Sequence, residues 1–182
     1  MARYGTDVFI EYMVKKSKTG KDYALIFGAI FLFIIISFFS MTILLALVGV
    51  SIPFFILVAG IYGIYVLITS RNIEFEYSFT NGDLAIDKIT NRKKRKRLLS
   101  FDFSKIEEIG YYTKNVDKLK NRRVDKTVFA CASEKDENSV YVVAKTKKAG
   151  LALIVFTPSE KMVEEMKMYV PRILRNDFYS KY

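Results

Sequence analysis

Two hydrophobic patterns divide the chain. From Tyr23 to Ser70 the sequence is apolar throughout, with no Asp, Glu, Lys or Arg. After Arg71 it alternates. In "NIEFEYSFT" Ile73, Phe75, Tyr77 and Phe79 fall on one side, and Glu74, Glu76, Ser78 and Thr80 on the other, the period of a half-buried strand. Near the C-terminus Met162, Val163, Met166, Tyr169, Val170 and Ile173 recur at helical spacing.

The apolar run is roughly twice the ~20 residues that one helix needs to cross a bilayer. It splits into two spans, about 24–48 and 52–70, around "GVS" and Pro53, where Gly and Pro mark a turn and Pro suits the first turn of the second helix. Helices are expected because unpaired backbone groups are costly in lipid. Lys15, Lys16, Lys18 and Lys21 precede the first span, Arg71 follows the second, and the connecting turn is uncharged. The positive-inside rule then places both termini in the cytoplasm, with the cell (inner) membrane as the expected location. A cleavable signal peptide would carry an apolar region of only about 7–15 residues. Ala59, Gly60 and Gly63 allow close helix approach, either within the hairpin or to a second copy. No charged residue lies in either span, which argues against a proton relay or transporter.

The polar remainder reads as α+β. "NGD" at 81–83 joins the first strand to "LAIDKIT" as a hairpin. The basic run forms the next turn, and "RLLSFDF" alternates again through Leu99, Phe101 and Phe103. "SKIEEIG", 104–110, reads as a helical turn with Ile106 and Ile109 inward, "YYT" as a short strand, and 114–126 as a long polar loop. Three further strands follow at 127–133, 139–146 and 150–157, all antiparallel in expectation. Thr157-Pro158-Ser159-Glu160 reads as a capping box for the closing helix, which Pro171 should weaken or kink. Upstream, "TDVFIEYMVKK" reads as a short amphipathic helix capped by Thr6 or Asp7, with Val8, Phe9, Tyr12, Met13 and Lys16 on one face. It would lie on the membrane surface or pack on the soluble part. The domains are then a cytoplasmic amphipathic segment (1–22), a transmembrane hairpin (23–70), a cytoplasmic domain (72–175) and a tail (176–182).

Composition narrows the chemistry. There is no His and a single Cys, Cys131, which removes His-based catalysis, Cys/His zinc sites and any disulfide within the chain. No phosphate loop, nucleophile elbow or metal spacing is present, so no enzyme activity, cofactor or metal is expected. Adjacent pairs such as Glu107-Glu108 and Glu164-Glu165 would diverge on a helix.

The order of elements over 72–175 resembles the bacterial pleckstrin-homology-like (PH-like) domains. The resemblance rests on the meander with "NGD", the "FDFSKIEEIG" segment and the final "PSEKMVEEMKMYV" helix. It implies a small antiparallel barrel or sandwich capped by that helix, and a non-catalytic module. A membrane hairpin ahead of such a domain is also an arrangement seen among bacterial membrane proteins. Loops between early strands form the ligand-facing rim of PH-like folds. By resemblance, the run Arg92, Lys93, Lys94, Arg95, Lys96, Arg97 sits on that rim, with Arg122 and Arg123 as possible additions to the same surface. Two readings of the run stay open: a solvated loop that sets topology, and a contact for anionic phospholipid head groups. It lacks the interleaved aromatics of a nucleic-acid site, so no nucleic acid is expected. The functional expectation is an integral, two-span scaffold or accessory protein that meets lipid head groups, a protein partner, or both. The alternatives are an accessory subunit that binds only a protein, or a small homo-oligomeric channel.

Overall fold

The computed structural model describes residues 8–146 and 149–179. The chain forms two units. One spans Lys18–Asn72; the other joins the segment up to Ser17 with the chain from Ile73 onward.

The first unit is a helical hairpin. Thr19 caps α1 (Gly20–Phe39) in a reciprocal box: its hydroxyl accepts the Asp22 N–H, and Asp22 accepts the Thr19 N–H at 2.9 Å. The helix runs on through a π-helical turn, Ser40–Leu44, into α2 (Leu45–Val48). Gly49, at φ 75°, ends it. α3 (Ser51–Ser70) returns, with Pro53 in its first turn. Among the described residues Ile26 and Pro53 are the only ones buried in α1 and α3, although both helices are apolar all round. Such a surface suits lipid rather than water. Gly20–Leu47 and Ser51–Ser70 are each long and apolar enough to cross a membrane. A side chain at Gly60 would overlap the Phe33 ring of α1, whereas nothing lies within 4 Å of a Cβ at Gly63. Gly60 thus lies against Phe33 within the hairpin, while Ala59 and Gly63 are exposed.

The second unit packs two four-stranded sheets. β1 (Phe9–Lys15), β2 (Ile73–Thr80), β3 (Asp83–Thr90) and β4 (Lys94–Asp102) form an antiparallel sheet in that order. After a 3₁₀ turn at Phe103–Lys105 come β5 (Ile106–Tyr111), α4 (Tyr112–Lys120), β6 (Lys126–Ala130), β7 (Val140–Thr146) and β8 (Gly150–Phe156), paired in the order β5-β7-β8-β6. α5 (Glu160–Tyr169) and α6 (Arg172–Tyr179) follow. The core lies between the sheets. Tyr77, Phe79, Leu84, Ile86 and Phe103 meet Val140, Val142, Ile154 and Phe156, and Met162 and Met166 of α5 join them. The β2–β3 turn is Asn81-Gly82, both at positive φ. A Cβ on Gly82 would come within 2.7 Å of the Tyr169 ring, so this glycine permits both the turn and the seat of α5.

A second apolar cluster lies on the other side of β7 and β8, where Leu119 of α4 meets Cys131, Tyr141, Val143, Leu153 and Val155. These strands are buried on both faces, which is why their sequence reads as continuous rather than alternating. Burial raises the Cys131 thiol to about 11 from an ordinary value of 9.0. At neutral pH that rise leaves only about one-hundredth of the ordinary thiolate. Cys131 in the folded protein should therefore react with a soluble maleimide at least about 100-fold slower than a free thiol. Time-resolved mass spectrometry of the labelled chain measures this.

Several expectations change. The segment expected to form a helix at 6–16 is strand β1 over its described part. It pairs from Phe9↔Thr80 to Lys15↔Glu74 and buries Ile10 and Val14, not the face through Phe9 and Met13. The β2 edge offers it seven residue pairs, against the small propensity of a short isolated helix. Thr6 and Asp7, the expected caps, lie outside the described residues. The 104–110 turn is one 3₁₀ turn followed by a strand, although Ile106 and Ile109 are buried as expected. Tyr112 and Thr113 of "YYT" open a helix rather than a strand. The loop expected at 114–126 is largely α4. β6 runs parallel to β8, because α4 carries the chain back before β6 begins; the sheets do not close into a barrel. Ser159, not Thr157, caps α5 by accepting the Met162 N–H at 3.3 Å, because Thr157 is turned to the Ser139 hydroxyl. α5 stops at Tyr169 instead of running past a kink at Pro171; Ile173, expected on its apolar stripe, falls in α6 and is exposed, and α6 takes in much of the supposed tail.

Candidate functional site

The basic run begins as a turn and continues as a strand. Asn91 and Arg92 take positive φ and turn β3 into β4, so Lys94 to Arg97 are strand residues rather than loop. All six side chains of the run are exposed. The register decides which way each points. Pairing proceeds through Leu84↔Phe101 and Ile86↔Leu99, then slips by one residue between Ile86 and Asp87, so that Arg97 stands opposite Asp87, Lys96 opposite Lys88 and Arg95 opposite Ile89. Without this bulge at Leu98, Arg97 would fall on the core-facing side with Leu99 and Phe101. A one-residue slip exchanges the faces of everything beyond it.

The arginines therefore share the outer face of the first sheet with its carboxylates. Arg97 Nε and Nη2 grip the two oxygens of Asp87. Arg95 crosses β3 to reach Glu76 at 2.5 Å, and Arg92 reaches Glu74 at 3.4 Å. The Glu76 and Asp87 side chains are only 6% and 7% exposed, while Arg95 and Arg97 keep about half of theirs in solvent, so buried carboxylates are met by guanidinium groups that cover them from outside. The Asp87 hydrogen bond raises the Arg97 guanidinium above its ordinary value.

The lysines are placed differently. Lys94 and Lys96 fall on the other face, toward the open end of the core, with Lys88 directly across from Lys96. Among the described residues no carboxylate forms an ion pair with Lys88, Lys93, Lys94 or Lys96. Lys15, the last residue of β1, and Lys16 beside it also form no ion pair among the described residues. The Lys16 N–H donates to the Ile73 carbonyl at 2.9 Å, and Ile73 pairs with Thr90. One end of this sheet thus gathers the basic turn and both points at which the chain leaves for, and returns from, the helical hairpin. Lys88 carries no sequence signal of its own; it joins the group through the strand register alone.

Arg122 and Arg123 belong to the second sheet's surroundings. Arg122 pairs with Glu107 of β5 at 3.3 Å, and Arg123 is exposed. The Glu107-Glu108 pair lies on a strand and its members diverge. Burial pushes the Glu108 carboxyl up, but hydrogen bonds from Lys118 and Tyr141 outweigh it and leave it below the ordinary range. A cavity of about 540 Å³ lies near Tyr12, Asp136, Asn138 and Ser159, and two of its lining groups serve local structure. Asp136 accepts the Asn138 N–H and Ser159 caps α5. Among the described residues no cluster of three or more His, Cys, Asp or Glu could hold a metal.

A family model described as bacterial PH-like domain (DUF6106) matches residues 6–176. The chain belongs to this family. The match begins ahead of β1 and runs through the apolar hairpin, so the PH-like unit includes β1 and carries the two helices as an insertion between its first and second strands. No curated protein and no solved structure matches the chain.

Proposed function

We propose that this protein is a non-enzymatic, two-span inner-membrane protein with both termini cytoplasmic, whose PH-like domain is a scaffold or accessory module reading anionic phospholipid head groups. The observation that carries the reading is the shared sheet end: the basic turn lies where both legs of the hairpin attach. The links are short, residues 16–19 on one side and 71–72 on the other. At ~3.5 Å per residue they reach roughly 10–15 Å. With the helices in a bilayer, links of this length let the turn reach the head-group layer, where a Debye length of ~8 Å sets the range of its charge. Each cation near an anionic surface adds roughly 1 kcal/mol. Two spans already make insertion permanent, so this charge selects lipid or orients the domain rather than anchoring it.

The test uses the full chain in phosphatidylcholine vesicles with a trace of spin-labelled phosphatidylglycerol or spin-labelled phosphatidylcholine. The motionally restricted fraction should be larger for phosphatidylglycerol, and the difference should shrink as salt rises. Equal fractions at low salt overturn the lipid reading. Topology has its own check: a cysteine at exposed position Lys161 should label in intact cells only after the inner membrane is permeabilised, with buried Cys131 silent.

A second reading, a protein partner or second copy, draws on the open edge of β1, which among the described residues pairs only with β2 and exposes Phe9 and Met13. A free edge next to apolar side chains suits strand addition. Co-purification from native membrane at defined stoichiometry would support it.

A further inference from the structure

We propose that the basic run is two interleaved sets with separate jobs. Arg92, Arg95 and Arg97 form an internal clasp on Glu74, Glu76 and Asp87, and the anion-contacting set is Lys94 and Lys96 with Lys88 from the neighbouring strand, extended by Lys93. The inference rests on the lipid reading above and names the residues and ligand chemistry of that surface: a phosphate-bearing head group held by ammonium groups.

Three observations carry it. The strand period puts Arg95 and Arg97 on one face and Lys94 and Lys96 on the other, and the bulge at Leu98 decides which face receives which. Every arginine of the run then has a carboxylate partner, while no lysine of the run has one among the described residues. Third, Lys88 and Lys96 are directly opposed. Like charges in that position repel. A strand pair that matches Asp87 with Arg97 one step away yet sets lysine against lysine violates local consistency, and such conflicts concentrate at functional positions. An anion bridging the two ammonium groups removes the conflict. The clasp has a second consequence. Three carboxylates neutralise three guanidinium groups in place, so the run presents about half its formal charge, and the carboxylate row sets how strongly the surface attracts lipid.

The experiment footprints lysines on the full-length protein in nanodiscs, using a soluble amine-acylating reagent and residue-resolved mass spectrometry. Discs of phosphatidylcholine alone are compared with discs that also contain phosphatidylglycerol. Phosphatidylglycerol should slow modification of Lys94 and Lys96 at least threefold, with Lys161 unchanged. K88Q/K96Q should abolish this protection at Lys94 without lowering Tm. R95Q/R97Q should lower Tm yet keep the protection, and E76Q/D87N should increase it by freeing the arginines. Should R95Q/R97Q, folded by circular dichroism, lose protection as completely as K88Q/K96Q, the division is wrong. Should R95Q/R97Q not fold, E76Q/D87N decides, and unchanged protection there overturns the counter-charge role. Millimolar pyrophosphate added to phosphatidylcholine discs separates the ligand sources. Protection by pyrophosphate but not by phosphatidylglycerol would keep the lysine set and overturn the lipid reading. Protection by neither overturns both.

Discussion

A fragment containing residues 73–182 should fail to fold, whereas the same fragment preceded by residues 8–16 and an Asn-Gly link should fold. The helices interrupt the connection between β1 and β2, so cutting after the second helix removes a strand of the sheet. Ile10 and Val14 leave the core with it, at ~1.5–3 kcal/mol each. The seven-pair ladder from Phe9↔Thr80 to Lys15↔Glu74 is lost as well, which leaves the β2 edge and the buried Phe75 and Tyr77 beside it uncovered. The total, ~5 kcal/mol or more, rivals the ~5–15 kcal/mol that holds a typical domain together. Because the Lys16 N–H already meets the Ile73 carbonyl at 2.9 Å, a two-residue turn can replace the whole hairpin without disturbing the register. Thermal unfolding followed by circular dichroism distinguishes the outcomes. Equal, cooperative transitions in the cut and linked forms would show that β1 is dispensable and that the domain starts at β2.

The same interruption explains what the sequence concealed. "FIEYMVK" supports two periods: Phe9 and Met13 stand four apart as on a helix, while Ile10, Tyr12 and Val14 alternate as on a strand. Only the partner decides between them, and the partner lies beyond the whole hairpin. The apolar hairpin, β2 and β3 were legible because their patterns are long and local. α4 was not, because "YTKNVDKLK" buries a single residue, Leu119. Its presence was nevertheless implied by "VYVVAKT" and "GLALIVF", strands apolar on both faces that require a cover on each. The basic run itself was plain, yet its internal division was hidden. Simple alternation from Leu99 back to Arg97 places the arginines on the core side. The bulge at Leu98 reverses this, and nothing in the local sequence announces it.

Replacing Tyr77 with Phe should destabilise the PH-like unit by ~2–6 kcal/mol, more than loss of a hydroxyl from an ordinary surface tyrosine. Tyr77 is fully buried in the middle of the first sheet. Its hydroxyl donates to the Ala130 carbonyl at the end of β6 and accepts the Thr157 N–H beyond β8 at 3.3 Å. One side chain thus satisfies two backbone groups of the opposite sheet. The Phe variant keeps the ring contact with Phe156 and the packing, but leaves both groups without a partner, at ~1–3 kcal/mol for each buried unsatisfied group. Burial also raises the Tyr77 phenol above its ordinary value, so a phenol kept in its proton-bearing form donates throughout the working pH range. Tyr141→Phe is the comparison, because its hydroxyl meets Glu108, which Lys118 already holds; its cost should be nearer ~1 kcal/mol. Urea denaturation of both variants in the linked, hairpin-free form measures the difference. A Tyr77→Phe cost no greater than that of Tyr141→Phe would mean that the two sheets are held together by apolar packing alone, with the polar stitch at the centre of the sandwich adding nothing.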